Sequence, residues 1–129
     1  MRVHHIGYLV KNIDKSAKKF SLLGYEAEGE KTYDEYRKVD ILFMKNGETR
    51  IELIESKSEN SVVANLYGRF KNSPYHICYI SESLEEDMEM LRNNGFVAMD
   101  EPCIAPAIDH KRVTFFMNAS IGIIELVEQ

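Results

Sequence analysis

Four residues of the kinds that bind metal ions stand in or beside apolar segments of the sequence. His5 and His76 each precede an apolar run, and Glu52 and Glu125 each interrupt one. Taken singly, such a residue most often faces solvent or is satisfied by a local hydrogen bond. A carboxylate inside an apolar strand, however, is costly to bury without a partner. Because two neutral imidazoles and two carboxylates neutralise one divalent cation, the four residues together predict a metal site.

These residue types recur because the two halves of the chain repeat one another. The segment HHIGYLV around His5 matches YHICYI around His76. The segment IELIE around Glu52 matches IELVE around Glu125, and a slightly longer loop in the second half accounts for the slippage between the two alignments. The equivalent residues are therefore expected to meet across a pseudo-twofold axis, with one imidazole and one carboxylate supplied by each half.

The first half is predicted to fold as a strand, a helix and three further strands. The stretch from Val3 to Val10 is rich in β-branched and aromatic residues, which favours a strand. A helix follows, with Asn12 or Asp14 as its N-terminal cap and Gly24 as its left-handed stop. Asn46-Gly47 then indicates a tight hairpin between the last two strands.

The second half has the same order of elements. Ser83 and Glu86 have capping-box spacing at the start of its helix, and Gly95 ends that helix. Cys78 is expected in the opening strand. The remaining extended segments are predicted at roughly 25–33, 37–45 and 49–55 in the first half and roughly 96–100, 111–118 and 121–128 in the second.

The length of 129 residues suits one domain with a sizeable core. We therefore interpret the repeat as two halves of a single domain, 1–129. Module 1 covers about 1–58, a short linking helix capped by Asn60 or Ser61 covers about 60–70, and module 2 covers about 74–129.

Composition argues against several classes of partner. The net charge is −5, and the basic residues form no clustered stripe, which makes nucleic acid and anionic membranes unfavourable partners. No apolar run has the length of a signal peptide or a membrane span, so a cytoplasmic protein is expected. Cys78 and Cys103 are too few for a disulfide framework and are expected to be reduced.

These segments resemble the vicinal oxygen chelate superfamily, which includes glyoxalase I, methylmalonyl-CoA epimerase, extradiol dioxygenases and bleomycin-resistance proteins. HHIGYLVKNID is similar to the opening strand and helix start of the epimerase branch, NGETRIELIESKSENSVVANL to its glutamate strand and linking helix, PYHICYI to its second histidine strand and KRVTFFMNASIGIIELVE to its closing hairpin. The resemblance covers essentially the whole chain. It implies an α+β fold in which two βαβββ modules in tandem form an open U-shaped barrel around a metal site, with His5, Glu52, His76 and Glu125 at the matching positions.

The resemblance also implies a shared chemistry. In the superfamily a metal binds vicinal oxygens of the substrate and acts as a Lewis acid while a proton next to a carbonyl is removed. A carboxylate serves as the base, and Glu125 and Glu52 are the candidates here. The ligand set suits cobalt, nickel, manganese, zinc or iron. The implied function is a metal-dependent isomerase or lyase, closest to methylmalonyl-CoA epimerase, whose small-molecule substrate is an acyl-CoA thioester or the adduct of a 2-oxo compound.

Two alternatives stay open: lactoylglutathione lyase (glyoxalase I) and a non-catalytic binding protein of the bleomycin-resistance type. Glyoxalase I usually carries an arginine two residues after the position of Gly7, where this chain has Leu9. The epimerase branch sometimes has an extra glutamate where this chain has Ile41. Bleomycin-resistance proteins generally lack the four ligands. An extradiol dioxygenase uses two histidines and one glutamate with ferrous iron, normally in a longer chain.

Two further expectations concern the surface. The charged residues Asp109 to Arg112, in a loop where the family usually has glycine, form either a solvated turn or a contact for a phosphate or CoA group. Open sheet edges and exposed apolar strands, which this fold implies, favour a homodimer.

Overall fold

The computed structural model describes all 129 residues and contains nine strands and three helices. This mixture confirms the predicted α+β class. The elements in chain order are β1 Arg2–Leu9, α1 Ile13–Leu22, β2 Glu26–Asp34, β3 Val39–Asn46, β4 Thr49–Ser56, α2 Ala64–Phe70, β5 Ser73–Ser81, α3 Leu84–Asn93, β6 Val97–Ala98, β7 Cys103–Ala105, β8 Lys111–Asn118 and β9 Gly122–Glu128.

The chain divides into two compact units. The first unit is His5–Tyr75, and the second unit is His76–Gln129 together with Met1–His4. Each unit contains one copy of the predicted strand-helix-strands module, and each has a hydrophobic core of its own.

In the first unit the strand order is β2-β3-β4-β1. The β1 strand pairs with β4 in parallel, whereas β2, β3 and β4 form antiparallel pairs. Helix α1 packs on one face of this sheet, because its buried residue Ile13 joins a core built from the strands. The buried residues of that core are Val10, Ile13, Leu42, Met44, Ile51 and Leu53.

The second unit repeats this arrangement. Its strand order is β5-β9-β8-β6, with β7 also paired to β8, and only the β5–β9 pair is parallel. Helix α3 supplies an apolar stripe to the core. The buried residues of that core are Leu84, Met88, Leu91, Phe116, Ile124 and Leu126.

Side-chain alternation gives each sheet a second face, turned away from its helix. In β4, Ile51 and Leu53 enter the core with α1, so Glu52 between them lies on the opposite face. In β9, Glu125 likewise lies between two core residues. Both glutamates are nevertheless buried, which shows that this second face is covered around them.

Local signals positioned the first helix correctly. Asn12 is its N-cap and accepts a hydrogen bond from the backbone N–H of Lys15, while Gly24 adopts the left-handed conformation after its end. The longest helices have ten residues, and no helix of the structure is long and apolar enough to span a bilayer.

Of the caps predicted for α3 and α2, the first is confirmed in position and the second is wrong. Ser83 is the N-cap of α3, as predicted, but its side chain makes no capping hydrogen bond. Helix α2 begins at Ala64 rather than at residue 60, and its N-cap is Val63. The reason is that Ser61 is engaged elsewhere, since its hydroxyl lies 2.5 Å from that of Ser56.

The strand predicted at 96–100 is also shorter than expected. It covers only Val97–Ala98 because the side chain of Asp100 replaces the backbone ladder: its Oδ1 atom accepts hydrogen bonds from the N–H of Phe115 at 2.8 Å and the hydroxyl of Thr114 at 3.1 Å. The chain then pairs again with β8 through Cys103–Ala105, a strand that was not predicted.

Candidate metal centre

In the first unit the structure brings His5 and Glu52 into contact. The Nε2 atom of His5 lies 3.4 Å from Oε1 of Glu52. Neither side chain has appreciable access to water, since His5 is 1% exposed and Glu52 is 4% exposed. An imidazole and a carboxylate are therefore held together on the covered face of the sheet, as the sequence predicted for this half.

The second unit contains the equivalent contact. The Nε2 atom of His76 lies 3.2 Å from Oε2 of Glu125, and the two residues are each 3% exposed. Each of the four residues predicted as ligands is thus paired with its predicted partner from the same module.

The strand register explains why the two contacts match. In the first unit Gly7 pairs with Glu52 across parallel strands, so His5 lies two residues before the register partner of the glutamate. In the second unit Cys78 pairs with Glu125, so His76 lies two residues before that partner. Residues two apart in a strand share a face, which aims imidazole and carboxylate at one another.

Both pairs fit two ligands of one divalent ion. Ligands about 2.0–2.2 Å from such an ion, at tetrahedral or octahedral angles, lie roughly 2.8–3.6 Å from each other. The observed separations of 3.4 Å for His5–Glu52 and 3.2 Å for His76–Glu125 agree with that range. Neutral imidazole and carboxylate also suit first-row divalent metals.

A phenylalanine supports each imidazole, and these two residues were not predicted. Phe43 packs edge-on against His5 with ring centroids 5.1 Å apart, and Phe115 packs edge-on against His76 at 5.2 Å. Phe43 is the register partner of Glu52, and Phe115 that of Glu125. The sequence carried a signal for both phenylalanines: each phenylalanine lies as many residues before the hairpin loop as the glutamate of the same hairpin lies after that loop.

A charged pair lies beside the first contact. Arg50 precedes Glu52 by two residues and so shares its face, and its guanidinium binds Glu28 of β2 through two hydrogen bonds. The distances are 2.7 Å from Nε to Oε1 and 3.1 Å from Nη2 to Oε2. The bonded residues are about one-third exposed, at 30% for Arg50 and 33% for Glu28.

The charged cluster at 109–112 forms a turn and a surface ion network. Asp109 and His110 both have positive φ, at 52° and 57°, and the N–H of Lys111 donates to the carbonyl of Ile108 at 3.0 Å. Two successive left-handed residues are what a hairpin turn of the I′ type requires, and glycine usually supplies one of them.

Carboxylates on two neighbouring elements hold Arg112. Its Nη2 atom lies 2.6 Å from Glu128, and its Nη1 atom lies 2.8 Å from Glu85. Hydrogen bonds from this guanidinium lower the pKa of each carboxyl group, and the two carboxylates raise the pKa of Arg112. Arg112 therefore serves this network, which weakens the interpretation of the cluster as a phosphate contact.

Sequence comparison now identifies the family. The model of the Glyoxalase/Bleomycin resistance protein/Dioxygenase superfamily matches residues 4–115, which include three of the four metal-binding candidates. The chain belongs to this superfamily. No curated protein matches the chain by sequence.

Solved structures share the superfamily fold over nearly the whole chain. A hypothetical protein, BH1468 from Bacillus halodurans C-125, is 26% identical with a TM-score of 0.87, covering 99% of this chain and 94% of that one. Methylmalonyl-CoA epimerase from Mycobacterium tuberculosis is 20% identical with a TM-score of 0.85, covering 98% and 87%. A variant of the Streptomyces coelicolor epimerase, in complex with 2-nitronate-propionyl-CoA, is 21% identical with a TM-score of 0.87, covering 100% and 94%.

One departure from a superfamily pattern lies in β1. Leu9 occupies the place where glyoxalase I usually has an arginine, and it is fully buried. A buried leucine offers no cation to a carboxylate of glutathione.

Proposed function

We propose that this protein is a metal-dependent enzyme that moves a proton at a carbon next to a carbonyl group, with an activity closest to that of methylmalonyl-CoA epimerase. The observation that supports this proposal is the pair of equivalent, water-excluded contacts, His5 with Glu52 and His76 with Glu125. Membership of a superfamily whose description names glyoxalases and dioxygenases adds support for an enzyme.

We propose that these four residues are the ligands of a divalent ion, through two nitrogen and two oxygen atoms. Two carboxylates balance the double charge, so the buried groups compensate one another. Cobalt, nickel, manganese, zinc and iron all accept this ligand set. When bound, the ion would act as a Lewis acid toward the carbonyl oxygen of the substrate.

The proton is moved by a glutamate of the site. Glu52 or Glu125 accepts the proton of the α-carbon: the C–H bond breaks, its electron pair passes into the C–C–O system of an enolate, and an O–H bond forms on the carboxylate. The same glutamate or the other one then returns a proton to the carbon. Burial of both carboxylates excludes bulk water from the proton transfer itself, and the glutamate exchanges its proton with solvent between turnovers.

The proposed substrate class is an acyl-CoA thioester. Two arguments support it. Epimerases that act on methylmalonyl-CoA share the fold over the full chain, and one of them was solved with a propionyl-CoA derivative bound. The absence of a cation at Leu9 disfavours the glutathione adduct that glyoxalase I uses.

Proton exchange in deuterated water tests the function directly. The metal-replete protein is expected to exchange the α-proton of methylmalonyl-CoA, and removal of the ion with a chelator is expected to stop the exchange until a divalent metal is restored. The alternative, a binding protein of the bleomycin-resistance type, predicts binding without exchange. Retention of an intact ligand pair in each module argues against that alternative.

We also propose that the protein is a homodimer. Several large apolar side chains of the second unit are strongly exposed, among them Val97 at 68% and Ile121 at 63%. Val97 belongs to β6, a short strand that is paired only with β8. The other edge of β6 is open and can accept a strand of a second copy. Light scattering coupled to size-exclusion chromatography should give twice the chain mass of 14.9 kDa.

A further inference from the structure

The surroundings of the two histidine–glutamate pairs differ in charge, beginning with the residue two positions before the glutamate. In the first unit that residue is Arg50, and in the second unit it is Ile123. Histidine, glutamate and phenylalanine are the same in both copies. The guanidinium is therefore present beside only one of the two equivalent histidine–glutamate–phenylalanine groups.

The position of Glu28, which binds Arg50, is also charged in the first unit and apolar in the second. Glu28 is the register partner of Phe43 in the first unit. At the equivalent place in the second unit, the N–H of Met99 donates to the carbonyl of Phe115 at 2.8 Å. Where one copy has an ion pair, the other therefore has methionine and isoleucine. The fold tolerates apolar residues at both places, so the scaffold itself does not require the charges.

Stability does not account for the ion pair either. Arg50 and Glu28 are 30% and 33% exposed, and ion pairs open to solvent contribute little to folding. Arg50 is also positioned beside the metal ligands. The first register pair of β1 and β4 is Ile6 with Ile51. Arg50 lies one residue before this pair on β4, and His5 lies one residue before it on β1, so the two residues are neighbours across the strands. A cation held in a fixed orientation next to His5 and Glu52 suits recognition of an anion there.

We propose that Arg50 is a specificity-determining residue that binds a carboxylate of the substrate, and that Glu28 is a positioning residue that orients the guanidinium. This inference rests on the proposed function and assigns to Arg50 the recognition of the free carboxylate that a substrate such as methylmalonyl-CoA carries beside its reacting carbon. The contact with Glu28 uses Nε and Nη2, which fixes the plane of the guanidinium fork.

The test compares methylmalonyl-CoA with its carboxamide analogue, which has the same shape but no negative charge. Affinity is measured by calorimetry and α-proton exchange by NMR, on metal-replete wild type, Arg50→Gln, Arg50→Lys and Glu28→Gln. Lys45→Gln is the matched control, because Lys45 is the register partner of Arg50 and its replacement removes the same charge.

Wild type and Lys45→Gln are expected to bind the carboxylate at least 10-fold more tightly than the carboxamide. Arg50→Gln should lose that preference while its affinity for the carboxamide stays within about 3-fold, so the change appears in KM more than in kcat. Arg50→Lys should keep part of the preference, and Glu28→Gln should reduce it by a smaller factor than Arg50→Gln.

The inference is overturned if wild type shows no preference, or if Arg50→Gln keeps the full preference, or if Lys45→Gln abolishes it. Because each variant is judged by the ratio of two ligands, a general loss of folded protein does not mimic the predicted effect. If wild type binds with the predicted preference but exchanges no α-proton, the proposed reaction fails while the role of Arg50 stands.

Discussion

His76 and Glu125 lie on adjacent parallel strands with Nε2 and Oε2 3.2 Å apart, and the register that brings them together is repeated by His5 and Glu52. The repeat is geometric as well as chemical, because each histidine precedes the strand partner of its glutamate by two residues. A duplicated scaffold thus builds the same histidine–glutamate pair twice.

The phenylalanines beside the histidines should tune metal binding. Replacing Phe43 or Phe115 by leucine removes the edge-on ring contact that orients the imidazole. Because such ring contacts contribute about 0.5–1.5 kcal/mol, we expect a roughly 3- to 10-fold loss of metal affinity for each variant. Competition with a chromophoric chelator measures it.

Phe20→Leu is the control for that comparison. Phe20 makes edge-on contacts with Tyr8 and Tyr25 in the core with α1, so its replacement should lower stability without changing metal affinity. Equal metal affinity in wild type and both site variants would show that the phenylalanines only fill space.

Two substitutions separate the roles of the glutamates. Glu52→Gln and Glu125→Gln keep the size of each side chain but remove its basicity. Replacing the glutamate that accepts the substrate proton should lower the rate of α-proton exchange by about 10²- to 10⁴-fold. Replacing the other glutamate should lower the rate mainly by weakening metal binding, so excess metal should restore much of the exchange rate of that variant.

The readout is exchange rate as a function of metal concentration for each variant. Exchange rates within a factor of two of wild type in both variants, at saturating metal, would exclude these carboxylates as the base.

The turn at Asp109-His110 stores backbone strain. A non-glycine residue at a φ of 57° is disfavoured, so His110→Gly should stabilise the protein by about 1 kcal/mol if His110 has no other structural role. Gly47→Ala is the opposite test: Gly47 has a φ of 59°, and an added Cβ would meet no atom within 4 Å. It should therefore destabilise by about 1 kcal/mol through backbone conformation alone.

Urea unfolding of the two variants checks both signs. A less stable His110→Gly protein would mean that the histidine side chain makes a stabilising contact that outweighs the strain of its backbone.

The surface network of Arg112 predicts a pH dependence. The pKa values of Glu85 and Glu128 are lower in the folded protein than in the unfolded chain because Arg112 donates hydrogen bonds to their ionised forms. The stabilisation is therefore fully present above the unfolded pKa and is lost as the pH falls through the lowered, folded values. Arg112→Gln should raise both pKa values toward that of an ordinary glutamate.

NMR titration of the two carboxyl groups measures this change. Because both carboxylates are solvent-accessible, the effect on the acid unfolding midpoint should be small. Unchanged titration of both groups in the variant would show that Arg112 does not hold them in solution.

Much of the fold follows from local patterns and from the internal repeat. The Asn12 cap, the Gly24 stop and the Asn46-Gly47 hairpin are each fixed by residues close in sequence, and the structure has all three. The strand Cys103–Ala105 and the short β6 could not be found in this way. Their limits depend on Asp100, whose side chain binds a backbone group of β8 far along the chain.

The candidate site also has features that the sequence predicts and features that it does not. The contact of each histidine with the glutamate of its own module was predictable, because burial of polar groups inside apolar strands requires compensation and because the repeat marks equivalent positions. Phe43, Phe115 and the Arg50–Glu28 pair were not predicted, because their relation to the site depends on which residues face each other across strands.

Metal content is the measurement that bears most directly on the central claim. Purified protein is incubated with cobalt, nickel, manganese, zinc or ferrous iron, desalted and analysed by plasma mass spectrometry, alongside His5→Ala, His76→Ala and the exposed-turn control His110→Asn. We expect about one divalent ion per chain in wild type and in His110→Asn, and less than about a tenth of that in His5→Ala and His76→Ala, because each loses a nitrogen ligand. Wild type that retains no stoichiometric ion with any of the five metals, or His5→Ala and His76→Ala proteins that retain it fully, would contradict the account.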